Sequence, residues 1–255
     1  MSEANTAGIV GLGAMGFQMA RHMIAKGREV HGLDVSEAAN QKAKAIGVRI
    51  AAKPADLADK SEIVVVMVAT DAQVEDVIIH SGLLDRLKKG SVICVAASCS
   101  VDTAKALEKL GAAKGVGVLD TPVVLGQEAA DNGTLTVFCG GEAWAFEKAK
   151  PVLQCFGANV MHVGGAGMGQ LTKTINNMLL WACISANQEA LTFAKAMGAD
   201  IPKMIAALAH SSGANWSLSR WGKSTGKWAE KDMDVALELA QEAKTPVPLA
   251  ALVDS

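Results

Sequence analysis

Ala7-Gly8-Ile9-Val10-Gly11-Leu12-Gly13-Ala14-Met15-Gly16 decides how this chain folds. Ala7 to Val10 is a short apolar run, and beyond the glycines Met15, Met19, Met23 and Ile24 recur at helical spacing, so the stretch reads as strand, turn and helix. Each glycine of the G-x-G-x-x-G spacing has a mechanism. Gly11 permits the tight turn, Gly13 lets backbone approach a pyrophosphate, and Gly16 lets helix pack on strand. The pyrophosphate would sit at the helix N-terminus, where free N–H groups point. Glycine-rich turns also arise for structural reasons alone, but here the second half of the signal is present. Gly27 closes the helix, Arg28 to Leu33 reads as a second strand, and Asp34 stands at its end, 18 positions after Gly16. A carboxylate there accepts hydrogen bonds from the adenosine ribose and repels a 2′-phosphate. Val35 and Ser36 follow with no arginine, so NAD is expected over NADP.

The alternation then continues. Ser36 can cap a helix ending at Gly47. Val48 to Ile50, a short helix after Pro54, the buried strand Ile63 to Val68, a helix over Ala72 to His80 and the strand Ser91 to Val95 follow. Further on come a strand at Val116 to Leu119, a turn at Asp131-Asn132-Gly133, a strand over Thr134 to Cys139, a helix over Glu142 to Phe156 and a last strand at Asn159 to Val163. Ligands of such sheets bind at the carboxyl ends of strands. Val68 and Ala69 should therefore border the cleft. Ser98 becomes a candidate nicotinamide or ribose neighbour, or equally a helix N-cap. The expected architecture is an α/β Rossmann-type NAD-binding domain over residues 1–163 and an all-α domain over 164–255, joined by a long helix.

That helix follows Gly164-Gly165-Ala166-Gly167-Met168-Gly169-Gln170-Leu171-Thr172-Lys173-Thr174-Ile175-Asn176-Asn177. The glycines would let backbone approach a ligand. No proline interrupts Gln170 to Met197, a length of roughly 40 Å at ~1.5 Å per residue. Lys173 and Asn177, four apart, share one helical face. A solvated lysine is the commoner use of such a position, but the uncharged Leu171, Thr172, Thr174 and Ile175 around it favour a cleft. Ile201 to His210 and Asp232 to Ala243 read as helices. Trp216, Trp221 and Trp228 either close over a ligand or pack between short helices.

Bulk properties narrow the function classes. A formal charge of −2 with interspersed acids and bases gives no electrostatic case for nucleic acid or an anionic membrane. The longest apolar run, Ile63 to Ala69, is too short to span a bilayer, and MSEANTAG lacks the basic and apolar regions of a leader, so a cytoplasmic protein is expected. Five scattered cysteines fit buried thiols, and no spacing suggests a metal site.

GLGAMGFQMARHM near the start, GTLTVFCGG at 133–141, HVGGAGMGQLTKTINN at 162–177 and KDMDVALELA at 231–240 together resemble the β-hydroxyacid dehydrogenase family, which includes 3-hydroxyisobutyrate dehydrogenases and tartronate semialdehyde reductases. The resemblance implies reversible hydride transfer between a nicotinamide cofactor and a short 3-hydroxy acid, in a homo-oligomer (dimer or tetramer). It makes Lys173 the catalytic lysine, whose pKa burial would have to lower for it to act as a base, and Asn177 the substrate-positioning amide. Gly11, Leu12, Gly13, Ala14, Met15 and Gly16 match the cofactor loop and Asp34 the ribose carboxylate. Val68 and Ala69 stand for the usual Leu-Pro pair, Ser98 for a threonine, and Lys231 for a lysine near the cofactor. The substrate loop departs from the family: Val124 replaces a serine and Leu125 a glycine ahead of Gly126. These apolar residues imply a bulkier or less carboxylate-dependent substrate, and keep imine or amine reduction as an alternative. A non-catalytic dinucleotide-binding module is the alternative of another class.

Overall fold

Ile63–Val66 and Val92–Val95 are four-residue runs buried along their whole length, as strands covered on both faces of a parallel sheet must be. The computed structural model describes residues 5–223, 226 and 228–254 and divides into two units, Met1–Lys173 and Thr174–Ser255. In the first, β1 (Thr6–Val10), β2 (Glu29–Leu33), β3 (Arg49–Ile50), β4 (Ile63–Val66), β5 (Val92–Val95) and β6 (Gly117–Asp120) run parallel in the order 3-2-1-4-5-6. That is the doubly wound order, whose ligand crevice lies where the order reverses, between β1 and β4. β7 (Val123–Val124) and β8 (Leu135–Gly140) extend the sheet antiparallel, and β9 (Gly157–Gly164) pairs parallel with β8.

Period-two alternation sorts the strand residues between two cores. Ile9, Ile63, Val65 and Cys94 join one cluster with α1 (Ala14–Ala25) and α2 (Glu37–Ala45). Val10, Val64, Val66 and Ile93 join the other with α3 (Asp71–Glu75), α4 (Leu83–Arg86) and α5 (Val101–Lys114). Each fully buried Leu, Ile or Phe contributes roughly 1.5–3 kcal/mol. α6 (Gly126–Asn132) and α7 (Ala143–Leu153) add to the first cluster.

Three local readings change. Asp131 and Asn132 end α6 rather than forming a free turn, and Gly133, at φ +67°, is its left-handed cap. The helix read over Ala72 to His80 is α3 followed by a π-helical turn at Asp76–His80. Ser100, not Ser98, caps α5: its Oγ accepts from Thr103 N at 3.0 Å.

α8 (Met168–Ala196) carries the chain across the boundary between the units. The second unit adds α9 (Ile201–Leu208), α10 (Trp216–Ser219), α11 (Ala229–Glu242) and α12 (Pro248–Asp254). Trp181 of α8 is buried with Met233 and Ala250, and its Nε1 donates to Asp232 Oδ2 at 3.0 Å. Trp216 is half exposed and lies under the Arg220 guanidinium, and Trp228 is exposed. Among the described residues no helix is long and apolar enough to cross a membrane.

Candidate active site

The glycine loop has the geometry its spacing requires. Gly11 adopts φ +92°, and a Cβ on it would lie 2.1 Å from Met67 O. A Cβ on Gly16 would lie 1.9 Å from Gly11 O, so helix and strand approach more closely than any other residue allows. Gly13 is different: nothing lies within 4 Å of its Cβ position. α1 starts there, and Gly13 offers its first N–H groups no side-chain cap.

Asp34 closes the loop from the end of β2. Its Oδ2 accepts from Leu12 N at 2.7 Å and its Oδ1 from Ser36 N at 2.8 Å. Asn40 brackets its backbone, accepting from Asp34 N at 2.8 Å and donating to Asp34 O at 2.9 Å. A carboxylate has about four acceptor sites, so each oxygen keeps capacity for a ribose hydroxyl. Beside it Val35 is fully exposed. These residues fit a dinucleotide: an open, uncapped helix start for the pyrophosphate and a fixed carboxylate for the ribose. Val68 continues from β4 to within 3.4 Å of the Gly11 Cβ position, and Ala69, exposed, donates its N–H to Gln73 Oε1 at 2.9 Å.

Lys173 is positioned by the start of α8. Asp120, 2% exposed at the end of β6, accepts from Gly167 N and Gln170 N, both at 2.8 Å, and so binds the N-terminal turn of the long helix. Burial pushes its carboxyl above the ordinary range, against the pull of those N–H donors. Gln170 Nε2 donates to Ala97 O at 2.8 Å. About one turn along the helix, Lys173 Nζ donates to Ser98 Oγ at 2.6 Å. Two of the glycines read as room for a ligand are used by the protein itself. Added Cβ atoms would lie 2.8 Å from Val101 Cγ1 at Gly167 and 2.7 Å from Asp120 O at Gly169, whereas Gly165 faces open space.

Val124 is buried in β7 opposite Thr136, and Leu125, 38% exposed, is held at φ +82° ahead of Gly126 at φ +72°. α6, which follows, is tied to α1: Arg21 Nη2 donates to Asp131 O at 2.5 Å, and His22 Nε2 lies 3.1 Å from both Ala130 O and Asp131 O. The first unit thus gathers the glycine loop, Asp34 and Val68–Ala69 at one edge of the sheet, and Ser98 with Lys173 at the ends of β5 and β6. Asn177 and Lys231 belong to the second unit. Asn177 is one turn beyond Lys173 on α8, with its Oδ1 accepting from Asn176 Nδ2 at 3.1 Å, and Lys231 is exposed on α11. Sequence reasoning missed the supports, Asp120 and Gln170. The available signal was an acid ending the apolar run Val116 to Leu119.

Cys99, beside Ser98, is poorly suited to act as a nucleophile. Burial first, then the nearby Asp71 and Asp120 carboxylates, push its thiol up to about 12. At pH 8 that leaves about one thiolate in 10⁴, so maleimide or iodoacetamide should label Cys99 far more slowly than a free thiol, as peptide mass mapping would report. Rapid labelling would contradict the burial. Among the described residues no group of His, Cys, Asp and Glu side chains is arranged to hold a metal.

Comparison with known proteins gives the following. A family model described as the NAD binding domain of 6-phosphogluconate dehydrogenase matches residues 6–164. A second, described as NAD-binding of NADP-dependent 3-hydroxyisobutyrate dehydrogenase, matches residues 167–255. The 2-(hydroxymethyl)glutarate dehydrogenase of Eubacterium barkeri is 31% identical over 99% of this chain and 88% of its own. The 3-hydroxyisobutyrate dehydrogenase of Pseudomonas aeruginosa is 31% identical over 95% of this chain and 88% of its own. The solved structure of Mycobacterium tuberculosis 3-hydroxyisobutyrate dehydrogenase with L-serine superposes with a TM-score of 0.88 at 24% identity, covering 98% of this chain and 91% of that one, so the fold is shared.

Proposed function

Because the chain belongs to the β-hydroxyacid dehydrogenase family, we propose that it reversibly oxidises a short 3-hydroxy acid or related alcohol with NAD, Lys173 moving the hydroxyl proton. The observation that carries this reading is the 2.6 Å hydrogen bond from Lys173 Nζ to Ser98 Oγ, at the carboxyl edge of a sheet that also bears the glycine loop and Asp34.

A bound nicotinamide supplies the hydride acceptor. Gly13, Ala14 and Met15, at the start of α1, hold the pyrophosphate between them, with Gly11, Leu12 and Gly16 fixing the loop. Asp34 holds the ribose and disfavours a 2′-phosphate by charge, which is the basis for NAD over NADP. Val68 and Ala69 wall the same crevice. In the oxidative direction the neutral Lys173 amine takes the hydroxyl proton as the carbinol C–H electrons leave as hydride. In reverse its ammonium returns that proton to the forming alkoxide. Ser98 Oγ fixes Nζ for this transfer. Asn177 orients the substrate, and residues 164–255 carry the oligomer contacts of a cytoplasmic enzyme. Val124 and Leu125, with Gly126, give the substrate loop an apolar character suited to a bulkier acid.

Reduced-nicotinamide absorbance, followed with NAD or NADP against short 3-hydroxy acids, hydroxy amino acids and amines, tests the reading. Turnover of a hydroxy acid with NAD is expected. Turnover of amines alone would favour amine or imine chemistry, and NAD binding without turnover a binding module. Val124→Ser with Leu125→Gly should improve kcat/KM on small 3-hydroxy carboxylates; no gain would remove the apolar-loop account of specificity.

A further inference from the structure

Asp71 belongs neither to the cofactor cradle nor to the proton transfer, yet its carboxylate is committed to the segment that carries Ser98. It opens α3 directly after Val68, Ala69 and Thr70. From there its Oδ2 accepts from Ser100 N at 2.8 Å and from Thr103 Oγ1 at 2.9 Å. These two donors are knit together, since Ser100 Oγ donates to Thr103 Oγ1 at 2.8 Å and accepts from Thr103 N at 3.0 Å. The carboxylate also lies at the N-terminus of α5, where its charge is favoured. At the other end of the same four residues, Gln170 Nε2 donates to Ala97 O at 2.8 Å. The loop 97–100 is therefore anchored on both sides of Ser98, by Asp71 from α3 and by Gln170 from α8.

We propose that Asp71 is a positioning residue for proton transfer: by anchoring Ser100 and Thr103 it fixes the loop so that Ser98 Oγ holds Lys173 Nζ in place. The inference deepens the reading of Lys173 given above and rests on it. Lysine ends a flexible four-carbon stem with many rotamers, and displacing a reacting group by about 1 Å can cost on the order of 10²-fold in rate. A hydrogen bond to Ser98 restricts Nζ only as far as Ser98 is itself fixed. No other carboxylate contacts the backbone of this loop among the hydrogen bonds of the described residues.

The test is a cycle of variants of the full chain. Trace acetylation with acetic anhydride, quantified by peptide mass spectrometry, reports how firmly Lys173 Nζ is held without any substrate. Asp71→Ala and Ser98→Ala should each raise the Lys173 rate by about threefold or more, the size of coupling expected between groups in one hydrogen-bond network. Lys26, exposed at the end of α1, should be unchanged. The double variant should react no faster than Ser98→Ala alone. Asp71→Asn, which keeps an acceptor oxygen, should stay near wild type. Thr103→Val, which removes one donor, should shift Lys173 less in the same direction and replaces Asp71→Ala if that variant fails to fold. With NAD and 3-hydroxyisobutyrate as probes, Asp71→Ala should lower kcat about tenfold and leave the KM for NAD within about twofold. Lys173 reactivity unchanged in either alanine variant, or effects that multiply in the double variant, would overturn the proposal. A Lys173→Ala protein with wild-type turnover would instead remove the proton-transfer reading and leave the labelling cycle intact, so the two failures are distinguishable.

Discussion

Lys173→Ala should lower kcat by on the order of 10³-fold while the affinity for NAD changes by no more than about twofold. The asymmetry follows from where the side chain is. Nζ bonds Ser98 at 2.6 Å, whereas the proposed pyrophosphate and ribose contacts are with the loop at Gly13 and with Asp34, whose Oδ2 accepts from Leu12 N. A thousandfold loss is about 4 kcal/mol of transition-state stabilisation, within the range that a positioned acid–base group supplies. Lys173→Arg sharpens the result. A guanidinium can still donate to Ser98, but it is always charged and takes no proton, so it should be nearly as slow as alanine in the oxidative direction. Initial rates with a parallel titration of NAD by protein fluorescence check both statements.

Asp120→Ala should destabilise the fold by about 3 kcal/mol, from two buried donors left without an acceptor at roughly 1–3 kcal/mol each. Gly167 N and Gln170 N are each 2.8 Å from the carboxylate, in a turn whose Gly167 lies against Val101 and whose Gly169 lies against Asp120 O and Phe138 O. Asp120→Asn should cost less, because the amide oxygen still accepts and the charge is no longer buried. The pH dependence has a definite sign. Since burial raises the Asp120 pKa above its ordinary value, the folded state binds this proton more tightly than the unfolded state does. Acidification through that range therefore adds stability from this group, and the wild-type advantage over Asp120→Asn should widen as the pH falls. Urea unfolding at neutral and mildly acid pH measures it.

The first unit was legible because its signals are local. Three glycines at fixed spacing, an acid at the end of the next strand and unbroken apolar runs each correspond to a backbone requirement, and Gly11, Gly16 and Asp34 meet those requirements. That Lys173 and Asn177 lie one turn apart on one long helix was legible from an apolar run that no proline interrupts. What holds Lys173 was not. Asp120, Gln170 and Asp71 act across separations of 29 to 73 residues, and nothing within a few residues of any of them indicates its partner. The same limit explains Gly167 and Gly169, which look like ligand clearance in sequence but lie against Val101 and Asp120. α6 was missed because Asp131-Asn132-Gly133 carries turn chemistry, which also suits a helix end when glycine takes the left-handed cap.

The most direct test of the central claim is amine rescue: turnover of Lys173→Ala with NAD and its best hydroxy acid, measured with and without methylamine. A missing proton acceptor predicts that the slow variant recovers at least about tenfold, saturably, and more at higher pH where more of the amine is unprotonated. A Lys173→Ala protein that turns over at the wild-type rate with no amine present would contradict it.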